Sequence, residues 1–317
     1  MLMVLMTTLP IFGLIFCGTA GQRFKILPPD AVNGLNAFVF YFALPAMLFR
    51  VVATSQPSQL LDIRFAASYI IGGLLLFAMG RWASRRFWGG TRAEAYARGT
   101  NVSHGNIGYL GLALVAEISG PQSLAPVALA ILCDVFAVMG GAIILYERNQ
   151  VKESGRGVSL QTIAWHVLKG LLRSPIVMAL IVGLIWLASG LTMPKVMDSF
   201  TRLLAAAAGT CALFAIGASL GDRKIEINRV IISMIALKLV VHPIILAILM
   251  YWVFKVDPAK AAIGVLCASL PGASNTFIVA QRYGVKPETL STAIVLGTFV
   301  AVITVSVVIW ALKLIPV

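Results

Sequence analysis

Stretches of about 20 mostly apolar residues recur along the whole chain, and this repetition most restricts its fold. A helix needs roughly 20 such residues to cross the hydrocarbon core of a bilayer. Only 12% of the 317 residues are charged, whereas soluble domains contain roughly 25%. The pattern therefore predicts an all-α membrane protein that forms one integral membrane domain over residues 1–317.

The apolar stretches predict ten membrane-spanning helices that are separated by polar turns. The predicted spans are 2–21, 32–53, 65–83, 96–119, 123–146, 174–192, 197–221, 229–254, 260–283 and 289–313. No basic residue precedes the first apolar run, so we interpret that run as a span rather than a signal peptide. Residues 160–171 have helical spacing ahead of Pro175 and predict an interfacial helix.

Basic residues are divided unevenly between the two sides of this arrangement. Seventeen of the 25 lysines and arginines fall in loops that follow odd-numbered spans, and seven lie on the other side. Cytoplasmic loops are enriched in basic residues, so both termini are predicted to lie outside. With five spans in each half, the second half enters the membrane from the opposite side. The sequence thus predicts an inverted repeat of residues 1–146 and 160–317, and this topology accounts for the net charge of +13 without nucleic-acid binding.

Two predicted spans, the fourth and the ninth, contain helix-breaking residues near their centres, at corresponding places in the two halves. The fourth contains Gly105, Gly108 and Gly111, and the ninth contains Pro271 and Gly272. Glycine and proline favour breaks in a helix, and irregular backbone survives in lipid only where it is buried or lines a cavity. When the first half is shifted by 164 positions, Gly108 aligns with Gly272. Paired interruptions of this kind point to the binding site of a transporter.

Polar side chains cluster at both interruptions and are candidate substrate ligands. They are Asn101, His104, Asn106 and Tyr109 in the fourth span, and Ser274, Asn275 and Thr276 in the ninth. Helices that begin at a break offer free N–H groups and a partial positive charge to an anion. The alternative is that small and amide side chains only pack helices closely. Two interruptions at matching places favour the binding site.

Three ionisable residues lie deep within predicted spans, namely Asp134, Lys238 and His242. An ion at the centre of a span costs about 2.5–3.5 kcal/mol on the insertion scale, so each needs a partner or an aqueous cavity. Lys238 and His242 are four residues apart and share a helix face. We expect Lys238 to pair with Asp134 or to contact an anionic substrate, with snorkelling as the alternative. Asp134, His242 and His104 are candidates for coupling to a proton or to sodium.

No sequence pattern indicates a metal site, a cofactor or a catalytic nucleophile. The four cysteines lie singly within apolar runs and show no metal-ligand spacing. The segments around Ser219 and Ser274 lack the frame of a serine nucleophile, and no phosphate-binding loop occurs. An intramembrane enzyme is therefore the less favoured hypothesis. We expect no cofactor and no enzymatic activity.

The chain resembles the auxin efflux carrier family of membrane transporters. The resemblance rests on five stretches that occur in order along nearly the whole chain, namely residues 36–49, 105–111, 213–220, 238–243 and 271–284. It implies a member of the bile acid/sodium symporter-like superfamily with ten helices in a five-plus-five inverted repeat. It also implies a scaffold of helices 1, 2, 6 and 7 and a transport domain in which broken helices 4 and 9 cross. Family members often have a proline where this chain has Ala113, which implies a softer break in helix 4.

The resemblance also implies a substrate class, because bacterial members are linked with malonate and malate and plant members move auxin. We therefore expect a secondary transporter that moves a small mono- or dicarboxylate across the cell inner membrane by alternating access. Asn106, Asn275 and the half-helix ends are expected to bind the carboxylate, and Lys238 to add positive charge. The alternative is a cation/proton antiporter of similar architecture, which would require paired carboxylates where Asp134 alone is available. A homodimer is compatible with the sequence.

Overall fold

The computed structural model describes residues 2–28, 30–60, 62–120, 123–153, 159–220, 227–285 and 288–314. Within these ranges the regular structure is helical and contains no strand. The main helices are α1 (Leu2–Arg23), α2 (Ala31–Ala53), α3 (Ile63–Trp88), α4 (Arg92–Ser103), α5 (Ile107–Ser119), α6 (Leu124–Val151), α7 (Leu160–Leu172), α8 (Pro175–Ser189), α9 (Lys195–Leu220), α10 (Arg229–Val253), α11 (Pro258–Ala268), α12 (Asn275–Arg282) and α13 (Glu288–Ala311). Residues 154–158, 221–226 and 286–287, which carry part of the basic charge used for the topology prediction, lie outside the described residues.

Among the described residues, six helices are long and apolar enough to cross a bilayer, namely α2, α3, α6, α9, α10 and α13. Helices α7 and α8 meet at a bend of 79° and form a seventh candidate if they are treated as one span. The predicted interfacial helix corresponds to α7. The predicted fourth and ninth spans are each divided in two, as α4 with α5 and α11 with α12. The helices therefore support a multi-pass membrane protein.

Two of the long helices contain a wider π turn directly before a proline. In α2 the π turn Val39–Ala43 precedes Pro45, and in α10 the π turn Leu237–Val241 precedes Pro243. A proline ring clashes with the carbonyl group four residues earlier and has no N–H to donate. A locally wider turn relieves this conflict. Both helices therefore continue through their prolines.

The helices α1, α2, α8 and α9 pack against one another as one group. At the contact of α1 with α9 the two backbones lie very close together. A Cβ atom added to Gly217 would lie 1.8 Å from the carbonyl oxygen of Ile15, and one added to Gly18 would lie 2.1 Å from that of Phe214. Small residues permit this approach between membrane helices, which associate largely through packing. The four helices correspond to the first, second, sixth and seventh predicted spans.

The other long helices surround the two interrupted segments. Helix α3 packs against α4, α6 and α10, while α10 also packs against α11 and α13. The two groups meet mainly along α5, which contacts both α1 and α9. The interrupted segment formed by α4 and α5 therefore lies at the boundary between the groups.

Candidate functional site

The interruption between α4 and α5 meets the interruption between α11 and α12. The N–H of Asn106 donates to the carbonyl oxygen of Pro271 at 2.9 Å, and the N–H of Ala273 donates to that of His104 at 3.3 Å. These bonds pair backbone groups that the helix ends leave free, as a membrane interior requires. We call this pairing of residues 104–106 with residues 271–273 the crossing.

Glycines lie opposite each other at the centre of the crossing. Gly105 and Gly272 form an antiparallel bridge, and a Cβ atom on Gly272 would lie 3.0 Å from both the carbonyl oxygen and the side-chain nitrogen of Asn101. The absence of a side chain at residue 272 therefore lets the fourth predicted span approach the ninth. The alignment of the two halves paired Gly108 with Gly272, but in the structure it is Gly105 that lies opposite Gly272. Gly108 and Gly111 lie in the π turn that opens α5.

The two interrupted segments run in opposite directions across the bundle. At the start of α11, Lys260 Nζ lies 2.9 Å from Asp62 Oδ2 at the start of α3. Beyond the end of α12, the ring of Tyr283 stacks on Tyr146 near the end of α6, with centroids 4.6 Å apart. The other segment begins at this second end, because Tyr96 of α4 also contacts the ring of Tyr146. The segments therefore cross the bundle antiparallel, and their interruptions meet near its middle.

A buried carboxylate supports the interrupted backbone of the fourth predicted span. Asp134 is 1% exposed and begins a π turn in α6. Its Oδ2 accepts a hydrogen bond from the N–H of Gly105 at 3.2 Å. His104 Nδ1 lies 2.9 Å from the same oxygen, within ion-pair distance but not aligned as a hydrogen bond. Asp134 Oδ1 has no hydrogen-bond partner among the described residues.

Side chains from the two segments also contact each other directly. Asn275 Nδ2 lies 3.1 Å from His104 Nε2, and Asn101 Nδ2 donates to Thr276 Oγ1 at 3.0 Å. His104, Asn101 and Thr276 are buried, whereas Asn275 is exposed. Candidate ligands that lie more than 170 positions apart in the sequence therefore form one polar cluster.

Lys238 also lies beside Gly105, and its partners differ from the expected ion pair with Asp134. Its Nζ lies 2.8 Å from His242 Nδ1 and donates to the carbonyl oxygen of Ala268 at 3.2 Å. The expected ion pair between Lys238 and Asp134 is not formed, because each side chain is held by nearer groups. A Cβ atom on Gly105 would lie 3.2 Å from Lys238 Nζ. The two charges therefore flank the same backbone segment without direct contact.

The remaining candidate ligands differ in exposure. Ser274 is exposed, Asn106 is buried and Tyr109 is partly buried. Within the described part of the chain, the side chains of Asn106 and Tyr109 have no hydrogen-bond partner. Three π turns coincide with predicted site residues, since one contains Tyr109, one begins at Asp134 and one contains Lys238. Such turns occur frequently at functional sites.

Two cavities differ greatly in size. A cavity of about 10 Å³ at the crossing is lined by Asn101, Lys238, Pro271 and Gly272, among others, and it has room for about one water molecule. A cavity of about 1140 Å³ lies between α1, α2, α5 and α9, and its lining contains none of the predicted site residues. Sequence reasoning missed this larger cavity. The available signal was two arginines, Arg50 and Arg202, within predicted spans that otherwise carry little charge.

Long apolar helices with two interrupted, antiparallel segments that gather polar and charged side chains in the middle of the bundle define the chain as a membrane transporter. The chain belongs to the family described as "Membrane transport protein", which matches residues 3–309 and includes the auxin efflux carriers. The family resemblance read from the sequence is thereby confirmed.

The relatives extend over almost the full length of the chain. A protein named "Putative malonate transporter" from Rhizobium meliloti (strain 1021) is 31% identical over 305 residues, covering 94% of this chain and 92% of its own. The "Uncharacterized transporter YfdV" of Escherichia coli (strain K12) is 24% identical and covers 97% of both chains. "Auxin efflux carrier component 8" of Arabidopsis thaliana is 21% identical and covers 95% of both.

Proposed function

We propose that this protein is a secondary active transporter that moves a small mono- or dicarboxylate, such as malonate or malate, by alternating access across the cell inner membrane. The observation that carries the proposal is that α5 and α12 both begin at the crossing. Helix N-termini present free N–H groups and partial positive charge, and in transporters they point at anionic substrate groups. The similarity to a relative named as a malonate transporter supports the same substrate class.

The polar cluster at the crossing is suited to a carboxylate. The amide of Asn275 is exposed and is held in place by His104, so it is positioned to donate to an incoming anion. Lys238 offsets the negative charge of Asp134 and leaves the helix N-termini free to favour an anion. The proposed ligands are Asn101, His104, Asn106, Tyr109, Lys238, Ser274, Asn275 and Thr276, with Gly105, Gly108, Gly111, Pro271 and Gly272 shaping the break.

The proposed architecture has ten spans, with residues 1–146 and 160–317 as inverted repeats and both termini outside. The reciprocal hydrogen bonds of the crossing support it, because each segment gives one N–H and one carbonyl group to the other. Alternating access would move the interrupted segments against the group α1, α2, α8 and α9. The large cavity beside α5 would serve as the pathway on the side where α2 ends.

Asp134 and His242 are the proposed coupling residues for a proton or sodium. His242 is fully buried, and its Nε2 has no hydrogen-bond partner within the described residues. Asp134 Oδ1 is also without a partner there. The antiporter alternative requires two carboxylates at the crossing, where the described residues provide Asp134 alone. Sodium or proton flux in the absence of any organic anion would favour the antiporter.

The decisive experiment is uptake by the purified protein in liposomes. Labelled malonate, malate, lactate and an indole carboxylate are tested with and without a sodium gradient and a pH gradient. Asn275→Ala is expected to reduce uptake at least tenfold, because it removes the amide that donates to the anion. The variant should remain folded, because Asn275 is exposed and its truncation leaves no cavity. Asn33→Ala, at an exposed asparagine of α2 remote from the crossing, is the matched control.

The possible outcomes distinguish an error in the assigned binding site from an error in the proposed function. Wild-type uptake in both Asn275→Ala and Lys238→Ala would refute the assignment of the site. Failure of the wild-type protein to transport any carboxylate would refute the proposed function. Thermal stabilisation of the folded protein by one of these anions identifies the substrate class independently, since a ligand that binds only the folded state raises the melting temperature.

A further inference from the structure

The large cavity between α1, α2, α5 and α9 has a charged mouth and an apolar floor. Its charged lining residues are Arg50 of α2, Arg202 of α9 and Glu117 of α5. Along α9 the lining extends from Arg202 to Leu213, which is eleven residues or about 16 Å. A bilayer core is roughly 30 Å thick. The cavity therefore leads inward from the end of α2 to a depth of about half the thickness of a bilayer core.

The floor of the cavity separates it from the crossing. Gly209 of α9 faces Ala113 of α5, and a Cβ atom on Gly209 would lie 3.3 Å from the Cβ atom of Ala113. Both residues line the cavity, whereas Asn106 and Tyr109, about one to two turns further along the same segment, do not. An anion in the cavity would therefore lie above the crossing and would not contact its ligands.

The two arginines at the mouth differ in how they are held. Arg50 Nη1 bonds to Asp198 Oδ1 and donates to the carbonyl oxygen of the same residue at 3.0 Å. Arg202 lies one turn after Asp198 on α9 and has no side-chain partner among the described residues. Glu117 lines the same cavity without forming an ion pair with Arg202. Arg50 is thus fixed and compensated, while the guanidinium of Arg202 is available.

We propose that Arg202, assisted by Arg50, forms an outer carboxylate-binding site that the substrate occupies before it reaches the crossing. The inference rests on the proposed function. A guanidinium group matches a carboxylate with two parallel hydrogen bonds, and Arg202 is the cavity-lining guanidinium without an acidic partner among the described residues. Glu117 repels the same anion, which keeps binding weak enough for release towards the crossing. The site takes small carboxylates through a single carboxyl group.

The test measures malonate uptake against malonate concentration and ionic strength in liposomes that contain the full chain. Arg202→Gln is expected to raise KM about tenfold, equivalent to 1.4 kcal/mol of binding, while the maximal rate stays within twofold. The same variant should lose most of the dependence of uptake on ionic strength. Glu117→Gln is expected to change KM in the opposite direction and to lower it, because it removes the repulsion between Glu117 and the anion. Asn275→Ala, by contrast, should lower the maximal rate.

Arg64 provides the matched control, because it is an exposed arginine near the same end of the helices but does not line the cavity. Arg64→Gln should leave KM unchanged. An unchanged KM in Arg202→Gln, or an equal rise of KM in Arg64→Gln, would overturn the outer site while leaving the proposed function intact. The absence of any carboxylate uptake by the wild-type protein would refute the proposed function, and the outer site with it. Arg202→Lys should restore part of the affinity that Arg202→Gln loses, because lysine keeps the positive charge but lacks the planar guanidinium group that forms two parallel hydrogen bonds.

Discussion

The substitution Gly217→Ala tests the close contact on which the packing of α1 against α9 depends. A Cβ atom at this position would lie 1.8 Å from the carbonyl oxygen of Ile15, whereas real Cβ contacts are not shorter than 3.0 Å. The two helices must therefore separate locally by more than about 1 Å. Overpacking typically costs about 1–3 kcal/mol, and we expect the upper end because the obstacle is backbone. A destabilisation of about 3 kcal/mol lowers the melting temperature by roughly 5 °C or more in a chain of this size.

The assay is thermal unfolding of the purified protein in detergent, followed by the loss of monodisperse protein. Gly141→Ala is the matched control, because Gly141 also lies within a long helix but a Cβ atom there would have no atom within 4 Å. Exchange of glycine for alanine in a helix interior adds up to about 1 kcal/mol of stability, so this control should melt at or slightly above the wild-type temperature. If Gly217→Ala melted within 1 °C of the wild type, the close approach of α1 and α9 would be refuted.

Two further predictions concern a hydrogen bond beside the crossing and an ion pair at the helix ends. Thr276→Val removes the hydroxyl that accepts a hydrogen bond from the Asn101 side chain. A buried donor that is left unpaired costs about 1–3 kcal/mol, so the melting temperature and the uptake rate should both fall. Thr276→Ser keeps the hydroxyl and should retain both. Burial alone would raise the pKa of Asp62, but hydrogen bonds from Lys260 and from the Phe65 N–H outweigh it and hold that pKa below the ordinary value of 3.8. A lowered carboxyl pKa contributes stability that is present above its unfolded value and is lost as pH falls through the folded one. The deficit of Asp62→Asn, at most about 1 kcal/mol, should therefore be present at pH 7, begin to shrink near pH 3.8 and vanish only below the lower folded pKa. A deficit that is constant with pH would contradict this.

The transporter family and the helical, multi-pass class were predicted from the sequence alone. The helical, multi-pass class follows from local properties. Each membrane helix forms its backbone hydrogen bonds within itself, and its length can be read from the length of the apolar stretch. The positions of the two interruptions were also predicted, since Gly105, Pro271 and Gly272 act on their own stretch of backbone. The roles of the candidate ligands stay predictions, as do the ten spans and the inverted repeat.

The sequence did not predict which polar groups meet. Lys238 was expected to pair with Asp134 or to contact an anionic substrate; the ion pair with Asp134 is not formed, because each side chain has nearer partners. The cavity mouth at Arg202 also went unnoticed, because an arginine near a span end is indistinguishable in sequence from a topology signal.

Hydropathy and helix-breaking residues thus determined that the chain crosses a membrane and where two of its helices are interrupted. Only the tertiary structure decided which backbone groups of the two interruptions bond to each other and that an arginine-bearing cavity stops short of them. The physical reason is that these relations depend on how closely and at what angle distant helices pack. Contacts such as that of Gly217 with Ile15 set this packing, and they join residues about 200 positions apart.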